Sequence, residues 1–299
     1  MGSRARLSLR HALALGLAHG PTELLPVSSS AHTILIPWLA GWPYAELDPE
    51  LRKAFEVALH VGTAAALLTD LQSVRSGGLR RCWRRAVCAR APAGASRGLD
   101  ARQAWLIALS LAPPVIAGYT LEQPLQRRLG GPPTIAAGLL IGGVAMALAD
   151  ARPPDGTRTL AEASTLDGLL LGLAQALALI PGVSRSGAVL TAARARGFGR
   201  ADSHTLARRT GLPVILGAGA LKTGRLLQRG APPGATDRRS VSALPLGGTT
   251  AFLSTLAVIR LLRRDERAAR RATALLPYAL YRGLLASLVI RRCEHNRDR

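Results

Sequence analysis

HGPTELLPVSSSAH, His19 to His32, sets two histidines, a carboxylate, a threonine and three consecutive serines between the apolar runs LALGLA and TILIPWLAGW. Polar groups at that density inside an apolar segment are costly to bury unless each finds a partner or a ligand. Pro26 removes a backbone donor and ends any helix running through Leu24 and Leu25, so the serines are expected in a turn that opens a second short helix. On that helix Ser29 and His32 are three apart and share a face. Backbone N–H groups at such a helix start, beside serine hydroxyls, make a seat for phosphate.

Working outward, a second stretch repeats the design. IPGVSRSGAVLT, Ile180 to Thr191, again runs apolar residue, Pro, Val, serine-rich turn and small residue, LPVSSSA against IPGVSRSGA. Here Arg185 stands in the turn between Ser184 and Ser186, and guanidinium has the planar fork that grips phosphate bidentately. Two broken, polar-centred hairpins in corresponding halves of an apolar chain are the pattern of a duplicated membrane protein with a site near the midplane.

Composition supports that class. The chain has 299 residues, 48% hydrophobic and only 4% aromatic, with a formal charge of +21 that is bunched rather than spread. Between the charge clusters, segments near 55–70, 104–121, 132–149, 166–180, 205–221, 243–262 and 274–290 approach the ~20 residues that a helix needs to cross a bilayer. A soluble nucleic-acid binder is disfavoured, because the arginines sit between apolar runs rather than along one helix face and few aromatics are available to stack on bases. Cys82, Cys88 and Cys293 lie in basic stretches without metal spacing and read as free thiols of a reducing compartment. The apolar run after Arg10 leads into the polar motif rather than to a cleavage site, so no cleavable signal peptide is expected.

In chain order, residues 1–10 form a basic flank and residues 11–42 the first hairpin, ending at an interfacial Trp42 and Tyr44. The next apolar helix carries Glu56 and His60, four apart on one face, which serve either a structural pair or the site. Residues 71–103 hold Arg75, Arg80, Arg81, Arg84, Arg85, Arg90, Arg97 and Arg102, and the positive-inside rule places that loop in the cytoplasm. Residues 150–165 read as a linker, the second hairpin runs about 166–195, and RLLRRDERAARR forms a further cytoplasmic loop. The expectation is a single membrane domain, 1–299, made of a first repeat half over 1–150 and a second over 151–299.

Taken together, these stretches resemble the bacterial undecaprenyl-diphosphatases, the bacitracin-resistance family. Beyond the two motifs, KAFEVALHVGT, APPVIAG at Ala112 to Gly118, LIGGVAMALAD, GLPVILGAGAL and LLPYALYRGLLA fall in the family's order and spacing. The resemblance implies an all-α integral membrane protein with about six transmembrane helices and two re-entrant helical hairpins in an inverted repeat, a multi-pass protein of the bacterial inner (plasma) membrane. It implies hydrolysis of undecaprenyl diphosphate to undecaprenyl phosphate, which recycles the lipid carrier of cell-wall synthesis. Glu23, Ser28, Ser29, His32 and Arg185 match the family's motif residues. His19 stands where the family usually has glutamate or glutamine, Val189 where it has threonine, and His60 where it commonly has glutamine. The implied partners are a polyprenyl diphosphate lipid, the bilayer and a second copy in a homodimer, with no nucleic acid.

Diphosphate cleavage needs charge neutralisation, an in-line nucleophile and a stabilised leaving oxygen. Arg185 and the turn N-termini supply the electrostatics, with Ser28, Ser30, Ser184 and Ser186 as further phosphate donors. The catalytic set expected is Glu23, Ser29, His32 and Arg185. Either Ser29 assisted by His32 or His32 itself attacks, with Glu23 orienting a base or holding a metal, and direct attack by water stays open. The expected cofactor is a divalent cation, Mg²⁺ or Ca²⁺, at His19 and Glu23, although imidazole in place of a carboxylate removes a hard oxygen ligand. The alternatives are a polyprenyl-phosphate transporter or flippase, and a catalytically impaired homologue that binds lipid phosphates.

Overall fold

The computed structural model describes residues 6–75, 101–153, 155–229, 238–264 and 274–297. Among these residues the fold is all-α: eleven α-helices and one short 3₁₀ turn, the strand-like contacts being isolated bridges from Gly156 and Arg158 to Phe198. Most of the Arg75 to Arg102 loop, with Cys82 and Cys88, lies outside the described residues, as do 230–237 and 265–273.

The first hairpin pairs α1 (Leu9–Leu24) with α2 (Ser29–Leu39). As the sequence predicts, α1 stops just short of Pro26 and the serines open α2, with Ser28 as N-cap. The far end is closed by His11 stacked on Trp42, ring centroids 4.0 Å apart. The long α3 (Pro49–Arg75) follows, then α4 (Ala101–Thr120), a short α5 (Glu122–Leu129) bent 65° from it, and α6 (Pro132–Asp150). The second hairpin pairs α7 (Thr165–Leu177) with α8 (Arg185–Ala195), and α9 (Arg200–Arg229), α10 (Arg238–Arg264) and α11 (Leu276–Arg297) complete the chain. Ser164 caps α7 in a capping box with Asp167.

Two helices are long and apolar enough to cross a membrane, Pro132–Asp150 and Ser242–Leu262, and the bent α4–α5 pair makes a third candidate. α7 is apolar but shorter. Large apolar side chains point outward along these elements, Ile141 at 69%, Leu148 at 69% and Leu284 at 72% exposure. A surface of that kind is covered by lipid rather than water.

Small residues set how the hairpins are held. A Cβ on Gly16 or Gly20 of α1 would run into α10, against Gly247 O and Thr255 N, and Ser254 of α10 donates to Gly16 O at 3.0 Å. Gly168 and Gly172 of α7 meet α4 in the same way, against the Leu106 backbone and Ser110 O. Close backbone approach through glycine is how helices pack where burial of apolar surface supplies no driving force. α6 packs along α11, and Val189, one of the positions noted above, is buried with Leu106, Leu171 and Phe198 in an apolar cluster.

The linker is fastened by charge. Arg158 donates to both oxygens of Asp167, at 3.1 and 2.7 Å, and Arg196 donates to Asp167 Oδ1 at 2.7 Å. Buried Arg194 donates to the carbonyls of Phe198, Arg152 and Pro153, while Asp150 receives Arg200 and the Leu276 N–H. The hydrogen bond to Asp167 pushes the Arg158 guanidinium up from its ordinary pKa, and the N–H and hydroxyl of Thr159 hold the exposed Glu162 carboxyl below the usual carboxylate range.

Candidate active site

The two hairpin turns meet tip to tip. Ser28 and Ser184 are the only non-glycine residues with positive φ among those described, at φ 75°, ψ 93° and φ 53°, ψ 116°. Such a backbone costs roughly 1–3 kcal/mol in a non-glycine residue and persists where the surroundings fix it. Each of these serines has its hydroxyl 3.3 Å from that of the serine two residues on, Ser30 and Ser186. Ser186 also donates to Leu25 O across the gap at 3.3 Å, tying the second turn to the first.

Glu23 is the centre of the arrangement. Its Oε1 accepts from Arg185 Nη2 at 2.5 Å, and its Oε2 accepts from Ser29 Oγ at 2.5 Å. The carboxylate comes from the last turn of α1, the hydroxyl from the first turn of α2 and the guanidinium from the first turn of α8, so three helix ends converge on one group. Glu23 is 7% exposed at its side chain and Arg185 20%, so the charges pair in a shielded pocket that still opens outward. That opening is a cleft of about 1800 Å³, which reaches from Glu23, Ser29 and Arg185 past Trp38 and Trp42 to Tyr119.

The contacts of His32 are not the ones its spacing suggests. The Ser29 hydroxyl turns to Glu23, whereas His32 Nδ1 lies 2.7 Å from Ser28 O and Nε2 lies 2.7 Å from Tyr281 OH. A carbonyl only accepts, so Nδ1 carries the proton and the neutral ring accepts from the Tyr281 hydroxyl at Nε2. The rings of His32 and Tyr281 also stack, 5.7 Å apart. His32 therefore holds the strained Ser28 turn, and its Nε2 meets the hydroxyl of the last helix.

Two site residues, Tyr281 and Arg282, were not legible as such in the sequence, and a third, His60, stood there as an open alternative between a structural pair and the site. His60 of α3 lies edge-on to His19, ring centroids 4.9 Å apart, and the ligand atoms of His19, Glu23 and His60 all lie within 4.8 Å of one another. Tyr281 meets His32. Arg282, fully buried, donates to Leu139 O, Gly138 O, Gly182 O and Pro26 O, so one guanidinium grips α6 and both hairpin turns. The available signal was a lone arginine inside the apolar run of 274–290, since an intramembrane cation marks a site by default.

The donor set around His19 departs from what Mg²⁺ or Ca²⁺ takes. Hard cations fill their shells with oxygen, and this group offers one carboxylate between two imidazoles.

Comparison with known proteins shows the family. The model of the family described as bacitracin resistance protein BacA matches residues 12–288. Relatives named undecaprenyl-diphosphatase include one from Geobacter sulfurreducens, 38% identical over 95% of this chain and 98% of its own. Another from Thermomicrobium roseum is 34% identical over 95% and 99%, and one from Alcanivorax borkumensis is 36% identical over 92% and 95%. The chain belongs to the bacitracin resistance protein BacA family.

Proposed function

We propose that this family member is a multi-pass phosphatase of the bacterial inner membrane that hydrolyses undecaprenyl diphosphate to undecaprenyl phosphate and inorganic phosphate, returning the lipid carrier to cell-wall synthesis. The observation that carries the reading is the Ser29–Glu23–Arg185 contact, a nucleophile, a base and a phosphate-binding cation brought together from two hairpins. In this mechanism the Ser29 oxygen attacks the terminal phosphorus and its proton passes to Glu23. The bond from that phosphorus to the bridging oxygen breaks, and the lipid leaves as its monophosphate, whose freed oxygen takes the proton back from Glu23. Water then cleaves the phosphoserine, with Glu23 as base again. Arg185 and the N-termini of α2 and α8 face the phosphate oxygens, which carry the negative charge through the transition state. Before substrate arrives Arg185 is satisfied by Glu23. A diphosphate that takes over the guanidinium leaves the carboxylate oxygens to the serine.

The same reading gives the architecture: six transmembrane helices and two re-entrant hairpins, arranged as an inverted repeat of residues 1–150 and 151–299. It is supported by the paired serine turns, by the matching glycine contacts of α1 on α10 and α7 on α4, and by α6 lying along α11. The apolar walls of the cleft suit a prenyl chain whose diphosphate reaches Glu23.

The test is phosphate release from undecaprenyl diphosphate by the purified protein in detergent. One phosphate per lipid is expected, with release abolished in Ser29→Ala and a phosphoserine trapped on rapid acid quench of the parent protein. Lipid movement across vesicles without phosphate release would make the chain a transporter instead.

A further inference from the structure

We propose that His19, Glu23 and His60 form a binding site for a borderline divalent transition metal, Zn²⁺ first among them, in place of an all-oxygen site for Mg²⁺ or Ca²⁺. His19 and Glu23 are one turn apart on α1, with His19 Nε2 3.9 Å from Glu23 Oε2, and His60 approaches from α3. Two elements thus bring two imidazoles and one carboxylate to a single point, their ligand atoms within 4.8 Å of one another.

Three features make this a metal site rather than a crowded polar corner. The first is the orientation of His60, whose Nδ1 lies 2.8 Å from Glu56 O. The carbonyl fixes the proton on Nδ1 and the lone pair on Nε2, the arrangement in which metal-bound histidines are held by a neighbouring carbonyl. The second is the chemistry of the donors. Two histidines and one carboxylate with a position left over is the set that catalytic zinc sites use, and imidazole suits Zn²⁺, Co²⁺ and Fe²⁺ where Mg²⁺ and Ca²⁺ take oxygen. The third is scale. Bonds of ~2.0–2.2 Å in a tetrahedral shell put donor atoms ~3.4 Å apart, so atoms now within 4.8 Å of one another need to close by about 1.4 Å at most, a distance within reach of side-chain rotation. Arg185 contacts the other carboxylate oxygen, Oε1, while Oε2 accepts from Ser29 and, with two lone pairs, can take the ion beside His19 as well.

The site adjoins the centre proposed for diphosphate hydrolysis and names its cofactor class, but metal binding is read without turnover, so the two proposals fail separately. The full chain, purified in detergent and stripped with a chelator, is loaded with Zn²⁺, passed through a desalting column in millimolar Mg²⁺ and assayed for metal content. One Zn²⁺ per chain is expected to stay bound. Co²⁺ added to the stripped protein should give visible absorption bands of a nitrogen- and oxygen-bound ion of low coordination number. His19→Gln and His60→Gln should each weaken binding at least ~10-fold. His60→Cys should retain the ion and add a sulfur-to-cobalt charge-transfer band, which guards against a fold lost through removal of the imidazole. The proposal is overturned if Mg²⁺ displaces Zn²⁺, if no ion is retained, or if His19→Gln and His60→Gln bind as the parent protein does. Intact phosphate release with no ion retained would sink the metal site and leave the phosphatase standing; an ion retained without phosphate release would do the reverse.

Discussion

Arg185 and Lys are equal in charge at this position and unequal in shape. The guanidinium reaches Glu23 from one nitrogen while the rest of its fork stays turned towards the cleft, and an ammonium has no such fork. Hydrogen bonds to charged groups are worth roughly 1.5–3 kcal/mol, so Arg185→Lys is expected to lower kcat/KM by about 10- to 100-fold with the unfolding temperature little changed. Turnover like that of the parent protein would show that the phosphate is held elsewhere. The hydroxyl of Tyr281 gives a companion test. Tyr281→Phe leaves the ring stacked on His32 but removes the donor to Nε2. If His32 works by holding the Ser28 turn, activity should fall only several-fold; a loss matching that of Ser29→Ala would return His32 to the role of proton carrier. Spacing alone pointed to a Ser29–His32 pair, because a three-residue interval on a helix puts two side chains on one face. The strained start of α2 instead aims Ser29 at Glu23, and a positive φ at a serine leaves no mark in the sequence. Tyr281 and Arg282 escaped, and the role of His60 stayed open, for a simpler reason: each is brought to the turns by packing from a distant helix, which no local pattern encodes.

At the scale of elements, the breaks at Pro26 and Pro181 and the polar turns after them were readable, because proline and clustered serine act through local backbone chemistry. The contacts that hold each hairpin were only half readable. LGLA stands twelve residues before Ser28 and again twelve before Ser184, with Gly16 and Gly172 in matching places, yet nothing in the sequence says that one meets α10 and the other α4. If the two hairpins are equivalent halves of a repeat, equal insults should have comparable effects. Gly16→Val and Gly172→Val each force a branched side chain against the neighbouring helix, Gly247 and Thr250 in one case, Ser110 and Pro113 in the other. Overpacking of this kind costs typically 1–3 kcal/mol, and both variants should unfold in detergent at clearly lower temperature than the parent. A loss in one with none in the other would mean that the halves are not held alike. Arg282 tests the same level from the centre. Arg282→Met fills much of the volume but abandons the carbonyls of four residues, so it should lower stability and phosphate release together, whereas Arg185→Lys lowers release alone.

For the whole molecule, the distribution of arginine and the pairing of helix ends give the proposed multi-pass topology a testable orientation. The end of α6, the start of α7, the end of α8, the start of α9 and the start of α11 are tied into one layer by Asp150, Asp167, Arg158, Arg194, Arg196 and Arg200. Arginine on one membrane face marks the cytoplasmic side, because cation-rich short loops resist translocation. On the proposed topology, alternation along α3, α4 and α6 would put the Arg75 to Arg102 segment, with its eight arginines, on that same face. On the same proposal the first hairpin, with Trp42 at its open end, would enter from the opposite face, and the cleft beside it would open to the outside, where diphosphate lipid would have to be presented. Cys82 and Cys88 lie inside the basic segment and Cys293 near the end of α11, which alternation puts outside. In a Cys293→Ser background, a membrane-impermeant maleimide added to intact cells with a permeabilised outer envelope should leave Cys82 and Cys88 unlabelled, and detergent lysis should expose them. Restoring Cys293 should bring back labelling from outside if its half-buried thiol is reached at the rim of α11. Labelling of Cys82 or Cys88 in the intact cells would invert the topology. The first hairpin and its cleft would then face the cytoplasm, and substrate delivery would have to be sought on that side.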